Sequence, residues 1–493
     1  MNTTPINFSN KMIRRAVRRA WVGLFAFLFL SPLAAPAAEV GQISIRAGYG
    51  QPVLCFSNTY GQAYVIQRRT DLASGAWEKL ATITAEASEV SWADDGPSSQ
   101  AVFYRVGLAT NATIFQTLQQ ALRRGCTNQG IVGASAAAIL PADGLWIGTY
   151  GSSDGISPIR PQTPFEIGSI TKTFVAATIL RLVEEGRLSL EDTVAQWLPG
   201  LTNANISPAI TVRQLLGHRA GVYNFGDDLD FRIALFSDWS RSWQPEDVLK
   251  YVKAPYFPPG ADGEYSNSGY VLLGMIIRSV TGSTVAAEMR RTVLDRAGLR
   301  STYMGAEEDW NGALADPHLD FDGDGIQEDL GALSQRAILT SFWTSGAEIS
   351  TAANLVQFGL SLFEGGLLSQ TSLTAMRKFQ SIDVVGTRYD YGLGLMRFDI
   401  LGQENWAHSG GLFGEYAWLS YCPATRTCLA VAYNYPNVKA GPNLPGELLI
   451  ALSNLPAVQP GASALARANW GSASNSAPVR IPFLDAEVPL NSR

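Results

Sequence analysis

Phe165-Glu166-Ile167-Gly168-Ser169-Ile170-Thr171-Lys172, running on into Thr173-Phe174-Val175-Ala176-Ala177-Thr178-Ile179-Leu180, is the stretch that organises the chain. Its second half is a run of helix formers, and Gly186 closes the run where a C-terminal cap is expected. Residues three apart in a helix share a face, so the Lys172 ammonium reaches the Ser169 hydroxyl. A serine hydroxyl attacks poorly until a neighbour takes its proton, and a desolvated lysine is such a neighbour. The N-terminal end of the helix also favours negative charge developing beside it. Serine and lysine are common, however, and Ser-x-x-Lys arises by chance in long chains. Its meaning depends on what else the sequence supplies.

The 493 residues suffice for two or three domains around a large core. Residues 1–38 read as a secretory signal: Lys11, Arg14, Arg15, Arg18 and Arg19 precede the apolar run Trp21 to Leu30, and small residues end at Ala37-Ala38. An uncleaved anchor over Ala20 to Ala38 is the alternative; after cleavage no membrane span is expected. Cleavage removes five of the 37 basic residues and none of the 43 acidic ones, leaving a net charge of −11. Such a surface excludes nucleic acid as a partner recognised by bulk charge. An exported chain meets oxidising conditions, and Cys422 and Cys428 flank a turn between two apolar β-like runs. A Cys422–Cys428 bridge is therefore expected, while the pairing of Cys55 and Cys126 stays open.

Residues 39–109 read as short strands between turn signals, including Ile43–Arg46, Val53–Phe56, Tyr64–Gln67 and Val102–Val106. They predict a β-sandwich domain similar to fibronectin type III-like modules, with Tyr64, Trp77, Trp92 and Phe103 as core aromatics. From 110 to 456 helices alternate with strands: a helix over 114–124, a hairpin over 131–148, long helices near 169–185 and 269–282, and strands again at 414–434. Strands at both ends of a helical middle predict an α+β fold, an antiparallel sheet flanked by helices plus a helical subdomain. Residues 457–493 are rich in Ala, Ser, Asn and Pro and predict a poorly ordered tail.

Three further segments give the Ser-x-x-Lys its context: Tyr265-Ser266-Asn267 after Pro258-Pro259-Gly260, His408-Ser409-Gly410-Gly411 before an apolar strand, and Ile210 to Gly221 with His218. With these the sequence resembles the serine β-lactamase and D-Ala-D-Ala carboxypeptidase superfamily, in its class C-related branch, over roughly residues 112 to 455. Phe165-Glu166-Ile167-Gly168, Glu184 to Leu190, Gly346 to Thr351 and Tyr391 to Gly394 belong to the same likeness. The resemblance implies Ser169 as the acylated nucleophile, with Lys172 and Tyr265 sharing the proton transfers. A tyrosine near cations is open to partial ionisation. It implies Asn267, His408, Ser409 and Gly410 as substrate-binding, the N–H groups of Ser169 and Gly411 as the oxyanion hole, and strand 411–420 as the sheet edge that receives substrate. His218 is expected to hold a loop.

Most β-lactamases of this superfamily carry lysine where His408 stands. Histidine there resembles certain carboxypeptidases, D-amino-acid amidases and esterases, and is mostly neutral at pH 7. The resemblance thus implies an exported, penicillin-binding, D-Ala-D-Ala carboxypeptidase-like enzyme acting on small molecules or peptides, with peptidoglycan as the polymer in view. An esterase is the nearest alternative, then a class C-like β-lactamase, then a binding protein with a degenerate hydrolase fold. No cofactor is expected for catalysis. Asp320, Asp322, Asp324 and Gly325 fit the opening of a structural calcium loop that Glu328 or Asp329 would close, although Gly331 at the twelfth position excludes a standard EF-hand. Phe225, Phe231, Phe236 and Trp239 read equally as a cleft wall or as core.

Overall fold

The computed structural model describes residues 43–455 apart from 49–50, 58, 60, 71–75, 85–87, 95–101, 111, 320–327, 332–334 and 435–443. The expected signal at 1–38, the tail at 457–493, Asp320, Asp322, Asp324 and the Glu328 side chain lie outside the described residues. Calcium therefore has no support in the structure, and among the described residues no group of three acidic, His or Cys side chains is placed to hold a metal ion.

Strands β1 (Ile43–Gly48), β2 (Gln51–Ser57), β3 (Ala63–Arg69), β4 (Glu78–Thr84), β5 (Glu89–Ala93) and β6 (Phe103–Leu108) come first. Helix α1 (Ala112–Gln129) leads to the hairpin β7 (Gly133–Leu140) and β8 (Gly144–Gly151), and short β9 (Phe165–Glu166) precedes α2 (Thr171–Glu184). The helical middle contains α3 (Asn267–Thr281), two-residue β10 (Tyr303–Met304), β11 (His318–Leu319) and β12 (Glu328–Asp329), then β13 (Glu348–Ser350) and α4 (Ala352–Phe363). Strands β14 (Gln380–Val384), β15 (Thr387–Tyr391), β16 (Met396–Ile400), β17 (Gln403–Leu412), β18 (Glu415–Cys422) and β19 (Thr427–Asn434) precede α5 (Leu444–Ser453).

Eleven strands form one sheet in the order β14-β15-β16-β17-β18-β19-β7-β8-β4-β3-β6. Strands from the two ends of the stretch after residue 110 therefore meet at its centre, where β19 pairs with β7. Helix α4 packs on β7, β18 and β19 from one side, while α1 and α5 cover the other. Helix α2 is apolar nearly all round and sits wholly inside, which is the behaviour of a core helix. Gly186 takes φ +70° just past its end, and the Arg187 N–H returns to the Leu182 carbonyl, so the expected glycine cap is present.

The expected strands of the N-terminal module fall in β1, β2, β3 and β6, but its sheets do not stand apart. Sheet β1-β2-β5 faces β4-β3-β6, and the second continues the central sheet through a parallel pairing of Thr82–Thr84 with Trp146–Gly148. Leu54, Phe56, Tyr64, Ile66 and Ile83 share one core with Ala137 and Ile147. Trp92 is buried, whereas Trp77 is half-buried beneath the Arg105 guanidinium. Composition could not reveal a seam made by backbone hydrogen bonds.

The expected Cys422–Cys428 bridge is absent, and both residues are buried thiols. Register explains this: Cys422 lies opposite Thr427, and Cys428 opposite Tyr421. Adjacent strand residues point to opposite faces, so the two sulfurs are on opposite sides of the sheet. Cys422 Sγ contacts Gln403 Oε1 at 3.1 Å, and Cys428 packs against Gly359 of α4.

Candidate active site

Ser169 sits in a single 3₁₀ turn, Gly168–Ile170, that feeds straight into α2. It is half-buried between fully buried neighbours. One turn on, Lys172 Nζ lies 2.9 Å from Ser169 Oγ, 2.8 Å from Asn267 Oδ1 and 2.6 Å from the Ser345 carbonyl. The Tyr265 ring centroid is 4.8 Å from the same nitrogen, and Ser169 is the nearby polar side chain that favours its ionised form. The four residues the sequence singled out for acyl chemistry thus converge. Asn267 opens α3, and its own backbone N–H is fixed by Asn224 Oδ1 at 3.1 Å.

Electrostatics define the protonation states. Burial pushes Lys172 well below the ordinary lysine range, because a charged ammonium loses its water shell. A neutral amine has two N–H donors and one lone pair. Nζ donates to Ser169 Oγ, Asn267 Oδ1 and the Ser345 carbonyl; once it has lost a proton, the two remaining donors serve Asn267 and Ser345 and a lone pair turns to the Ser169 hydroxyl. Burial holds Tyr265 well above the usual phenol range, outweighing the nearby Ser169 side chain, which favours ionisation. Partial ionisation is therefore not the state of this tyrosine. It stays a neutral phenol that can donate.

The Ser169 turn and the Gly410–Gly411 segment meet by close backbone approach. A Cβ on Gly410 would collide with the Ile167 carbonyl oxygen and lie 2.8 Å from the Ser169 nitrogen; one on Gly168, at φ +50°, would lie 2.7 Å from the Gly411 nitrogen. Only glycine allows β17 to press its Gly410–Gly411 segment onto the nucleophile turn. Strand β16 pairs with β17 only over Gln403–Ala407, so His408–Leu412 have a ladder partner on the β18 side alone. The sheet edge expected at 411–420 is thus displaced to 408–412, since β17 turns into β18 after Leu412.

His408 is buried at 1 % exposure. Its Nδ1–H donates to the Ser409 carbonyl at 2.7 Å, which leaves Nε2 to accept from the Tyr391 hydroxyl at 2.9 Å. Burial, and then the nearby Lys172, lower it to about 3, so the ring is neutral at physiological pH. Ser409 and Gly410 are buried as well. These residues frame the site from within. His218, at φ +54°, accepts the Ser266 N–H on Nδ1 and lies against Tyr265, which is the loop-holding role expected of it. Phe225 and Phe231 are core, whereas half-buried Phe236 meets Phe413 edge-on at 5.3 Å beside the β17–β18 turn. Sequence reasoning missed Ser345 and Asn224. Ser345 acts through a backbone carbonyl, which leaves no mark in residue type, and Asn224 is one turn-former among many.

The β-lactamase family model matches residues 114–451. Penicillin-binding protein 4* of Bacillus subtilis is 26 % identical over 255 residues, 48 % of this chain and 53 % of its own length, so the chain spans about half of that relative. Penicillin-binding protein 4 of Amycolatopsis lactamdurans is 24 % identical over 62 % of this chain and 82 % of its own. Among solved structures, a D-stereospecific amidohydrolase from Streptomyces is 30 % identical at a TM-score of 0.57, covering 65 % of this chain and 94 % of its own. The D-amino acid amidase of Ochrobactrum anthropi, 24 % identical, shares the fold at a TM-score of 0.62, over 69 % of this chain and 99 % of its own. The convergent serine, lysine and tyrosine and these likenesses agree, and the chain belongs to the β-lactamase family of serine hydrolases.

Proposed function

We propose that the chain is an exported hydrolase that cleaves amide bonds of D-amino acid derivatives through an acyl-enzyme on Ser169. In the scheme, Lys172 takes the Ser169 proton as Oγ attacks the carbonyl carbon. The oxyanion lies between the N–H groups of Ser169 and Gly411, where each donor contributes about 3 kcal/mol. The Tyr265 phenol protonates the leaving nitrogen and is reprotonated from Lys172. Water then attacks the ester, giving its proton to the same pair, and the freed acid leaves with Ser169 restored.

The observation that carries the choice of substrate is His408. Where β-lactamases hold a permanent cation, this chain holds a neutral imidazole with both nitrogens already engaged. Such a group offers little to a substrate carboxylate. D-amino acid amides therefore suit the site better than D-Ala-D-Ala peptides with their terminal carboxylate, the substrate that the sequence put first. The amidohydrolase and amidase activities for which the Streptomyces and Ochrobactrum proteins are named support this reading. Small esters form the second class, since the same groups cleave them. Export rests on residues 1–38 alone.

A fluorophosphonate probe should label wild type and leave Ser169→Ala unlabelled; equal labelling of both would overturn the nucleophile. Hydrolysis of D-phenylalanine amide should exceed that of a D-Ala-D-Ala peptide, and the reverse order would reinstate the carboxypeptidase.

A further inference from the structure

Behind the nucleophile lie two glutamates that the acyl chemistry does not use. Glu166 in β9 and Glu415 at the start of β18 are at most 1 % exposed. Glu415 Oε2 accepts the backbone N–H of Glu166 at 2.6 Å. Both carboxylate oxygens of Glu166 and Oε1 of Glu415 are buried with no hydrogen-bond partner among the described residues. Each glutamate is close in sequence to one side of the oxyanion hole: Glu166 precedes Ser169 by three residues, and Glu415 follows Gly411 after the turn at Phe413 (φ +29°) and Gly414 (φ +97°). On its other side, the Ser169 turn is held by backbone bonding of Ile167 N–H to the Glu348 carbonyl at 2.9 Å. The Glu415 side chain supplies the matching tie to β18.

We propose that Glu415 and Glu166 are positioning residues, a proton-bearing pair that fastens the Ser169 turn to the Gly410–Gly411 strand and makes acylation fail at alkaline pH. The charges around them set this behaviour. Glu415 faces the carboxyl groups of Glu166 from β9 and of Asp316 from the segment before β11. Glu348, on neighbouring β13, is likewise buried and faces Glu308 and Arg290. Asp316 faces Asp329, Asp154 and His318. Burial raises Glu166, Glu415 and Glu348 above the carboxylate range, and two adjoining carboxyls without a cation do not both ionise. A protonated acid keeps a carbonyl oxygen for the Glu166 N–H; ionisation drives charge into an apolar seam. As the folded groups titrate above the unfolded ones, the stability they confer is full at low pH and lost as pH rises through the raised values.

The inference rests on Ser169 being the acylated residue, and labelling by fluorophosphonate, followed as a rate against pH, separates the two ideas. Glu415→Ala should acylate about tenfold more slowly than wild type at neutral pH, through displacement of the oxyanion donors. Glu415→Gln, which keeps the accepting oxygen and cannot ionise, should recover that loss and shift or abolish the alkaline fall. An alkaline limb identical in wild type and Glu415→Gln overturns the pair while leaving the nucleophile intact. Absence of labelling in wild type overturns the nucleophile itself.

Discussion

Lys172 holds three oxygens within 2.9 Å and carries no carboxylate partner among them. A buried amine in that setting works as a base only when neutral, and its lowered titration brings the neutral form into the working range. The rate of Ser169 acylation should therefore rise with pH as Lys172 loses its proton, at a pH below that of free lysine. Lys172→Ala should lower kcat/KM by about 10²- to 10⁴-fold, the span of general base catalysis, with KM little altered. Retention of near-wild-type acylation by this variant would refute the scheme. Tyr265→Phe keeps the ring against Lys172 and His218 but removes the proton donor, so it should slow leaving-group departure for amides more than for activated esters.

His408 carries a stability signature of its own. Its folded value is depressed to about 3 by burial, so its contribution is present above the ordinary histidine range and is lost as pH falls through the folded value. The unfolding midpoint of wild type should fall across that acid window more steeply than that of His408→Gln, measured by thermal melts at fixed ionic strength. Parallel curves would mean that the ring is not the titrating group.

Elements with a sequence period or a terminator were legible in advance. The α2 run and its Gly186 cap, the β7–β8 hairpin around Pro141-Ala142-Asp143-Gly144, and the strands after residue 414 stand where their residues put them. Register was not legible. Cys422 and Cys428 looked like cross-strand neighbours because loop length was counted without knowing which residues pair. One step of offset turned a bridge into two separate thiols. Reductant should accordingly leave the melting temperature of the purified protein unchanged, and thiol titration in denaturant without reductant should find the cysteines reactive. A reductant-sensitive melt would indicate a bridge after all. The site divides the same way. Side-chain chemistry at Ser169, Lys172, Tyr265 and Asn267 could be read from residue type, whereas the Ser345 carbonyl and the Glu166–Glu415 contact exist only through folding.

Across the whole molecule, residues 43–108 and the hydrolase core share a polar junction as well as an apolar one. Trp146 Nε1 donates to Thr84 Oγ1 at 2.9 Å, that hydroxyl donates to Gln119 Oε1 at 2.8 Å, and Gln119 Nε2 reaches the Thr149 carbonyl at 2.9 Å. All of it is buried. Thr84→Val leaves the indole N–H and the Gln119 oxygen without this partner and should cost about 1–3 kcal/mol in urea unfolding, with kcat unchanged. A cost near zero would mean that the junction tolerates the loss by local rearrangement.

The parallel seam between β4 and β8 has one more consequence. Without it, β8 would present a row of open amides and carbonyls flanked by Trp146 and Ile147, a template on which a second chain can dock strand to strand. Strand β4 thus covers that stretch of edge, and removing it would open Trp146–Gly148 to pairing with another strand.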